Sequence, residues 1–288
     1  MNAWVNHWPT LSAPVSSPVV RIISHGGGVQ TSALCLMAAR GDLGPMPDCA
    51  IFADTGDEPA AVYEYLDYIA PLLPFPLLRL RRDGRTLGEN CVSNATAVLK
   101  GQCTIPLHLT PDGIMPKQCS TEWKTRVVMR AAKAMARAKL GLGPRQRFPA
   151  DAVIEQWIGI STDEKERVRT NSDRVFYNRY PLIEVNRDRR ACLSYLAERQ
   201  YTKPPRSACV FCPYRGNDEW QEMKDTAPAD FAKACAFDAA FRPGWLGMTG
   251  EAFVHPSRKP LAEVDFNRAD PRQGLLGFIN ECSGTCGV

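Results

Sequence analysis

The sequence predicts an α/β protein with a doubly wound, mostly parallel sheet and a cysteine-bearing C-terminal extension. Short apolar runs rich in β-branched residues alternate with stretches of helical spacing. Three consecutive glycines follow the first apolar run, and several cysteines stand near the end of the chain. Strands that alternate with helices imply right-handed crossovers and a ligand at the carboxyl ends of the strands.

The predicted elements follow one another in a regular order. Residues 1–18 hold several prolines and serines, so we expect a flexible arm there. Strands are predicted at residues 19–23, 49–53, 77–80 and 153–160, and helices at residues 29–39, 59–69, 121–140, 189–199 and 219–241, the last broken near Pro228. Residues 83–118 show neither period and carry many glycines and prolines, which indicates a lid near the ligand.

Composition indicates a soluble globular protein. The 288 residues are 44% hydrophobic and 23% charged, and no apolar run approaches the roughly 20 residues that span a bilayer. The N-terminus lacks a basic start and a continuous apolar segment, so we expect a cytoplasmic location. Eleven cysteines are many for that reducing compartment and suggest metal or redox chemistry. The net charge of +4 permits anionic substrates without arguing for nucleic acid.

Gly26, Gly27 and Gly28 separate the first strand from the first helix and form a candidate phosphate-binding loop. Glycine permits positive φ and close approach of an anion, and the N–H groups of the next helix can then hold that anion. Thr31 and Ser32 add hydroxyl donors. The loop lacks the Gly-Lys-Ser/Thr of a Walker A motif and the spacing Gly-x-Gly-x-x-Gly. A tight turn without a ligand is the alternative interpretation.

Two further polar stretches fall at predicted strand ends. Asp54-Thr55-Gly56 follows the second strand, where an acidic residue can bind ribose hydroxyls, orient a metal or merely cap the next helix. Arg167 and Arg169 lie just past the fourth predicted strand, where two guanidinium groups could hold an anionic tail. A solvated charged turn is the alternative there.

The cysteines carry the strongest signal. Cys209 and Cys212 form a Cys-x-x-Cys pair on a predicted loop. On spacing alone, a zinc site, a redox dithiol and an iron–sulfur cluster all remain open. The four histidines are isolated in the sequence and offer no second zinc pair. Thiolates from distant loops suit a [4Fe–4S] cluster, and Cys119, at a predicted helix start that favours thiolate, is the natural third ligand. Buried structural thiols are the alternative.

Basic residues also mark one face of the predicted helix at residues 121–140. Arg126, Arg130, Lys133 and Arg137 recur at helical spacing. A solvated face is the simpler interpretation. If this face borders the ligand cleft, it suits a nucleic-acid backbone.

Taken in order, these motifs resemble those of the phosphoadenosine phosphosulfate (PAPS) reductase-like family of the PP-loop, or adenine nucleotide α-hydrolase, superfamily. Ser24–Ser32 resembles the pyrophosphate loop, and Asp54-Thr55-Gly56 resembles the Asp-Thr-Gly segment. Tyr180-Pro181-Leu182 is similar to the Pro-Leu segment. The 90-residue step from Cys119 to Cys209 resembles the cluster motif of iron–sulfur adenylylsulfate (APS) reductases. Glu281-Cys282 resembles the C-terminal Glu-Cys.

The chain departs from the family pattern at several positions. Gln30 stands where Asp is common in the loop, and Ser161 stands where an Arg contacts the sulfonucleotide. Gln118 occupies the place of a second cysteine beside Cys119, which leaves three ligands from these motifs. The fourth ligand then comes from Cys282 or Cys286, or one iron is open, as in related tRNA thiolation enzymes. No His follows Cys282 as the family's C-terminal pattern requires.

The resemblance implies a PP-loop nucleotide-binding α/β domain at residues 19–200 and a cysteine-bearing extension at residues 201–288. It implies ATP or a related adenine nucleotide, Mg²⁺ as a candidate companion ion, and a [4Fe–4S] cluster used for sulfur transfer. Nucleic acid is the candidate acceptor, a protein such as a cysteine desulfurase is the candidate sulfur donor, and no membrane partner is expected. The alternatives are a sulfonucleotide reductase that acts through Cys282 and a non-catalytic, cluster-bearing protein that binds nucleotide or nucleic acid.

The expected site residues fall into three groups. The catalytic residues are Cys282, Asp54 and Lys124. The cluster ligands are Cys119, Cys209, Cys212 and Cys282. The nucleotide-binding residues are Ser24, Gly26, Gly27, Gly28, Gln30, Thr31, Ser32, Asp54, Thr55, Gly56, Arg167 and Arg169.

Overall fold

The computed structural model describes residues 17–82, 84–96, 103–244 and 248–267. The strands are β1 (Val20–His25), β2 (Cys49–Asp54), β3 (Leu77–Arg81), β4 (His108–Leu109), β5 (Ile154–Ile158), β6 (Phe176–Arg179) and β7 (Ala252–Phe253). The α-helices are α1 (Val29–Ala39), α2 (Ala60–Ile69), α3 (Leu87–Thr96), α4 (Arg126–Lys139), α5 (Pro181–Glu184), α6 (Arg189–Glu198), α7 (Asn217–Thr226) and α8 (Pro228–Phe241). A π-helical turn, Ser120–Thr125, leads directly into α4, and a 3₁₀ turn at Thr162–Arg167 follows β5.

Five strands form one parallel sheet in the order β3-β2-β1-β5-β6. The chain steps from β1 through β2 to β3, and then returns to the other side of β1 with β5 and β6. This reversal makes the boundary between β1 and β5 the topological switch point, where open α/β sheets bind ligands. The three glycines follow β1 at this point. The predicted doubly wound α/β fold is confirmed.

Helices cover both faces of this sheet, which explains why β1 and β2 are buried at every position. Ile23 packs on one face with residues of α1, α2 and α6. Val20 and Ile22 point to the opposite face and pack with Val127, Val128 and other residues of α4. Alternate residues of one strand therefore serve two separate hydrophobic layers.

A further hydrophobic core joins two distant parts of the chain. Leu87 and Cys91 of α3 pack there with Trp123 of the π-helical turn, and the C-terminal half adds Trp220 of α7 and Phe237 of α8. β7, which pairs antiparallel with β4, also contributes to this core. The expected lid at residues 83–118 therefore contains a helix and a short strand, and it packs with residues of the expected C-terminal extension.

The remaining predicted elements are found within a few residues of their expected bounds. The strand β6 was not predicted, and neither was the helix α3. The break near Pro228 is confirmed, because α7 ends at Thr226 and α8 begins at Pro228. Within the described ranges, none of the helices combines the length and the apolar character needed to cross a bilayer.

Candidate functional site

The glycine loop lies inside the protein at the end of β1. Gly26, Gly27 and Gly28 are all buried. Gly27 has a φ of +81°, which strongly favours glycine, and a Cβ at this position would lie 3.1 Å from the ring of Phe52. The N–H of Gly27 donates to Nδ1 of His25 at 3.0 Å. Burial lowers the pKa of His25 to about 4, so its imidazole is neutral at physiological pH.

Hydroxyl groups on the first turn of α1 bind the backbone of this loop. Ser32 Oγ donates to the carbonyl of Gly28 at 2.8 Å, and Thr31 Oγ1 donates to the same carbonyl at 3.2 Å. The N–H of Gly26 donates to Thr31 Oγ1 at 3.3 Å. Ser24 is buried in β1 and pairs with β2 and β5. These residues hold the loop in one conformation at the N-terminus of α1, which is the geometry of an anion-binding turn.

Gln30 connects the first turn of α1 to the stretch after β5. Its Oε1 accepts a hydrogen bond from Arg189 at 3.0 Å, and its Nε2 donates to Glu164 at 3.3 Å and to Ser161 at 3.5 Å. Glu164 also pairs with Arg167. Gln30 and Arg167, both expected near the nucleotide, are thereby linked through one carboxylate.

Arg169 lies farther along the same stretch and is exposed. Its guanidinium donates to the carbonyls of Glu166 at 2.5 Å and Val168 at 2.8 Å. Its backbone is fixed by Tyr180, whose hydroxyl donates to the Arg169 carbonyl at 2.6 Å. The structure therefore places Arg169 in the loop between the 3₁₀ turn that follows β5 and the strand β6.

Asp54 ends β2, and both of its carboxylate oxygens accept hydrogen bonds. Arg81 donates to Oδ2 at 2.6 Å, whereas Tyr63 and the N–H of Gly56 each donate to Oδ1 at 2.7 Å. Burial alone would raise the pKa of Asp54, but these hydrogen bonds outweigh it and the pKa is lowered. Asp54 is therefore ionised, and its role toward nucleotide or metal stays a prediction.

A polar cluster made of Thr55, Glu58, Lys124 and Cys209 lies next to Asp54. Lys124 Nζ donates to Glu58 Oε1 at 2.9 Å, and both side chains are buried. Thr55 Oγ1 lies 3.4 Å from the same oxygen and 3.3 Å from the sulfur of Cys209. Glu58 Oε2 is buried without a hydrogen-bond partner in the described part of the chain.

Electrostatics around Cys209 reflect this cluster. Burial raises the pKa of the Cys209 thiol well above its usual value, and the carboxylate of Glu58 adds to the rise. Lys124 and the hydroxyl of Thr55 oppose it by stabilising the thiolate. In the metal-free protein Cys209 is therefore a thiol, and a bound metal would have to displace its proton.

The cysteine loop, residues 207–212, is attached directly to the glycine loop. Ser207 Oγ donates a hydrogen bond to the carbonyl of Gly26. A Cβ at Gly27 would lie 2.9 Å from the same hydroxyl, so only glycine allows the two loops to approach this closely. The N–H of Val210 donates to the carbonyl of Asp57 at 2.8 Å and fixes the loop to the end of β2 as well. Cys209 therefore lies two residues after Ser207, the residue that binds the candidate phosphate-binding loop.

Cys119 and Cys212 complete the expected three-cysteine set. Cys212 N–H donates to the Cys209 carbonyl at 3.0 Å, which closes the turn of the Cys-x-x-Cys pair. Cys119 is partly buried, packs against the same hydrophobic core as Cys209, and adds to the rise in the pKa of Cys209. Among the described residues, no three His, Cys, Asp or Glu side chains surround a point that could hold a single metal ion. A [4Fe–4S] cluster differs from such a site because its cysteines bind separate irons.

A buried guanidinium beside this turn shows that the site suits a negative group. Arg215 is 6% exposed, and it donates to the carbonyls of Ala208 and Cys209 only at 3.5 Å. Burial lowers the pKa of Arg215 to about 10, and Arg206 adds to the fall, whereas Cys212, Cys209 and Glu58 oppose it. A buried cation is costly unless an anion accompanies it. Thiolates bound to a cluster would provide that anion, so the residues present fit the group.

The basic face of α4 is largely engaged within the protein. Arg126 pairs with Glu122, and Lys133 pairs with Asp173. Arg137 donates to the carbonyls of Gly143 and Gln146, at 2.7 Å and 2.8 Å. Arg130 is exposed. Binding of nucleic acid at this face stays a prediction.

Sequence analysis missed four residues of this site. Glu58, Ser207 and Arg215 act through contacts with residues far away in the chain, and His25 precedes the glycines without any motif of its own. His25 lies within the Ser24–Ser32 segment that the sequence singled out, and Glu58 follows the Asp54-Thr55-Gly56 segment by two residues. Cys282 and Cys286 lie outside the described residues.

The parallel sheet, the glycine loop at its switch point and the adjoining cysteine loop define a doubly wound α/β protein in which these two loops meet. A structure search matches the phosphoadenylyl-sulfate (PAPS) reductase from Candida auris in its phosphate complex. The two chains are 14% identical, the match covers 67% of this chain and 78% of that chain, and the TM-score is 0.43. No family model matches the chain, and no curated protein matches it.

Proposed function

We propose that this protein is an enzyme that binds ATP at the glycine loop and transfers sulfur at a [4Fe–4S] cluster held by Cys119, Cys209 and Cys212. The hydrogen bond from Ser207 to the Gly26 carbonyl carries this proposal. It attaches the cysteine loop to the loop expected to bind phosphate, so an activated substrate and a thiol-bound centre would share one site. An enzyme that joins nucleotide activation to sulfur chemistry needs this proximity.

Phosphate binding is assigned to the first turn of α1. The N–H groups there point along the helix axis away from its body, and the positive end of the helix dipole favours an anion. Arg81, which Asp54 holds in place and which is 42% exposed, adds a positive charge at the end of β3. Arg167, held by Glu164, adds another after β5. Mg²⁺ would accompany the phosphates as it does for nucleotides generally.

The reaction proposed is replacement of an acceptor oxygen by sulfur. The acceptor oxygen bonds to the α-phosphorus of ATP while the bond to pyrophosphate breaks. Sulfide then bonds to the acceptor carbon while the carbon–oxygen bond to AMP breaks, so AMP leaves. The cluster, when bound, would supply an iron–sulfur centre that can carry sulfur close to the nucleotide.

Lys124 is assigned to charge neutralisation in this reaction. Its ammonium lies in the buried cluster with Glu58 and Cys209, where a positive charge stabilises thiolate and other anions. Glu58 holds that ammonium at 2.9 Å, and its free Oε2 can accept a proton from a donor that enters the site. The two residues thus form an acid–base pair beside the proposed sulfur centre.

The test uses protein purified without oxygen and incubated with MgATP, a cysteine desulfurase, sulfur-labelled cysteine and a thiol reductant, which releases the persulfide sulfur of the desulfurase as sulfide. A pool of small RNA and a pool of duplex DNA serve as acceptors. We expect AMP and pyrophosphate in equal amounts, with label in one acceptor pool. Cys209→Ser should abolish labelling, whereas Cys35→Ser, a buried thiol of α1 in another core, should preserve it.

Two results would contradict the proposal. Release of sulfite from APS or PAPS in the presence of a thiol reductant would identify a sulfonucleotide reductase. Tight nucleotide binding with neither AMP release nor labelling of either acceptor pool would identify a binding protein.

A further inference from the structure

Arg215 differs from Arg179, another buried arginine, in the groups that surround it. Arg179 is 4% exposed and pairs with Glu184 at 2.7 Å, with Glu155 also within 3.7 Å. Arg215 is 6% exposed, yet within the part of the chain that the structure describes no carboxylate lies at ion-pair distance from it. Its Nε is buried without a hydrogen-bond partner there.

The groups around Arg215 do not neutralise its charge. Its NH2 group reaches the carbonyls of Ala208 and Cys209 at the long distance of 3.5 Å, and its guanidinium carbon lies 5.3 Å from the centroid of the Trp220 ring. Such contacts are weaker than a carboxylate pair. The N–H of Arg215 itself donates to the Cys212 carbonyl at 3.1 Å, so the residue is part of the cysteine turn.

A buried cation without an acid partner is unstable unless another anion occupies its surroundings. Cys209 and Cys212, together with the carboxylate of Glu58, act on the charge of Arg215. The two cysteines become anionic when they bind a metal, because a metal-bound cysteine is a thiolate. Their loop turns around Arg215, with the guanidinium against the Cys209 carbonyl and the backbone N–H on the Cys212 carbonyl. The position of the charge thus matches a centre bound by both cysteines.

We propose that Arg215 is the buried counter-charge of the centre bound by Cys209 and Cys212, and that it raises the reduction potential of that centre and helps to retain it. This inference rests on the proposed function, since it requires a cluster at those cysteines. A fixed positive charge stabilises the reduced, more negative cluster more than the oxidised one, which raises the potential. Arg215 acts here as a positioning residue and not as a catalytic one.

The experiment compares wild-type protein with Arg215→Met and Arg215→Lys, all purified without oxygen. The cluster is titrated with redox dyes under an electron paramagnetic resonance readout, and iron loss to a chelator is followed over time. We expect Arg215→Met to have a lower reduction potential and faster iron loss, and Arg215→Lys to stay near wild type because the charge is kept.

Arg179→Met is the matched control, because it also removes a buried guanidinium. In the iron-free protein, we expect Arg179→Met to lower the unfolding temperature, because it removes the guanidinium that pairs with Glu184 at 2.7 Å. Arg215→Met should leave the unfolding temperature of the iron-free protein unchanged or raise it. If Arg215→Met fails to fold when loaded, Arg215→Gln replaces it, with the same expected fall in potential.

The outcomes separate the two proposals. If the cluster of Arg215→Met has the same reduction potential as the wild-type cluster and loses iron at the same rate, the role of Arg215 is overturned and the proposed function stands. A wild-type protein that holds neither iron nor sulfide would overturn the proposed function and this inference with it. If Arg215→Met lowers the unfolding temperature of the iron-free protein as much as Arg179→Met does, Arg215 is a structural residue and its proposed role is overturned.

Discussion

The ammonium of Lys124 and the carboxylate of Glu58 form an ion pair at 2.9 Å inside the protein, 66 residues apart in the chain. The sulfur of Cys209 lies 4.0 Å from the same carboxylate oxygen. The pair connects the π-helical turn before α4, which Cys119 precedes, with the segment after β2. Because Glu58 also contacts Cys209, the same carboxylate links this turn to the cysteine loop.

Breaking this pair on one side should destabilise the fold strongly. Lys124→Met leaves Glu58 as a buried carboxylate without its cation, and we expect a loss of about 3–5 kcal/mol in the free energy of unfolding. Glu58→Gln should act similarly, whereas the double variant should recover much of the loss. Urea unfolding of all four proteins gives the coupling energy.

Arg79 and Asp67 provide the control for this cycle. They form a pair at 2.6 Å, but the Asp67 side chain is 74% exposed, so their coupling should stay below about 1 kcal/mol. Additive losses in the Lys124–Glu58 cycle would show that the buried pair does not act as a unit.

Gly27→Ala should damage the site more than its backbone strain explains. Gly27 and Gly41 have almost the same φ, +81° and +79°, so an alanine costs about 1 kcal/mol of strain at either position. A Cβ at Gly41 meets no atom within 4 Å, whereas one at Gly27 lies 2.9 Å from Ser207 Oγ. We therefore expect Gly27→Ala to lower the free energy of unfolding at least twice as much as Gly41→Ala does. We also expect Gly27→Ala to bind MgATP much more weakly than Gly41→Ala in calorimetric titration. Equal stability and equal affinity in the two variants would refute the close approach of the two loops.

Asp54 should make the stability of the protein depend on pH in the acid range. Its pKa is lower in the folded than in the unfolded protein, so its carboxylate stabilises the fold above about pH 4, the ordinary Asp pKa, and this contribution is lost as the pH falls through the folded-state pKa. Because Arg81 is 42% exposed, water screens the pair and the contribution is about 1 kcal/mol.

We therefore expect Asp54→Asn to be less stable than wild type by a constant amount between about pH 5 and 7, with the gap closing at lower pH. Thermal unfolding across this range measures it. A gap that is unchanged or wider in acid would mean that Asp54 is not held as an ion.

The sheet and the glycine loop could be predicted because their signals are local. Every residue of β1 is buried, so an apolar run of β-branched residues marks it clearly. The edge strand β6 reads Phe-Tyr-Asn-Arg and is only partly buried, so neither alternation nor a continuous apolar run reveals it. The helix α3 carries Gly88, Asn90 and Ser93 in its first two turns, and these residues of low helix propensity interrupt the helical pattern.

The residues of the site could be predicted from the sequence only where they belong to a recognisable motif. The cysteine spacing and the Asp-Thr-Gly segment are visible in the sequence, and the structure places Thr55 against Cys209. The contact between Ser207 and Gly26 spans 181 residues and involves a serine and a carbonyl, for which no local pattern exists. Arg215 follows the Cys-x-x-Cys pair closely, but its burial without an acid partner is a property of the fold alone.

Iron and acid-labile sulfide analysis of protein purified without oxygen tests the central claim most directly, namely that Cys119, Cys209 and Cys212 hold one cluster beside the glycine loop. We predict about four irons and four sulfides per chain, lost in each of Cys119→Ala, Cys209→Ala and Cys212→Ala and retained in Cys35→Ala. A colourless wild-type protein with stoichiometric zinc, or full iron and sulfide content in Cys119→Ala, would contradict it.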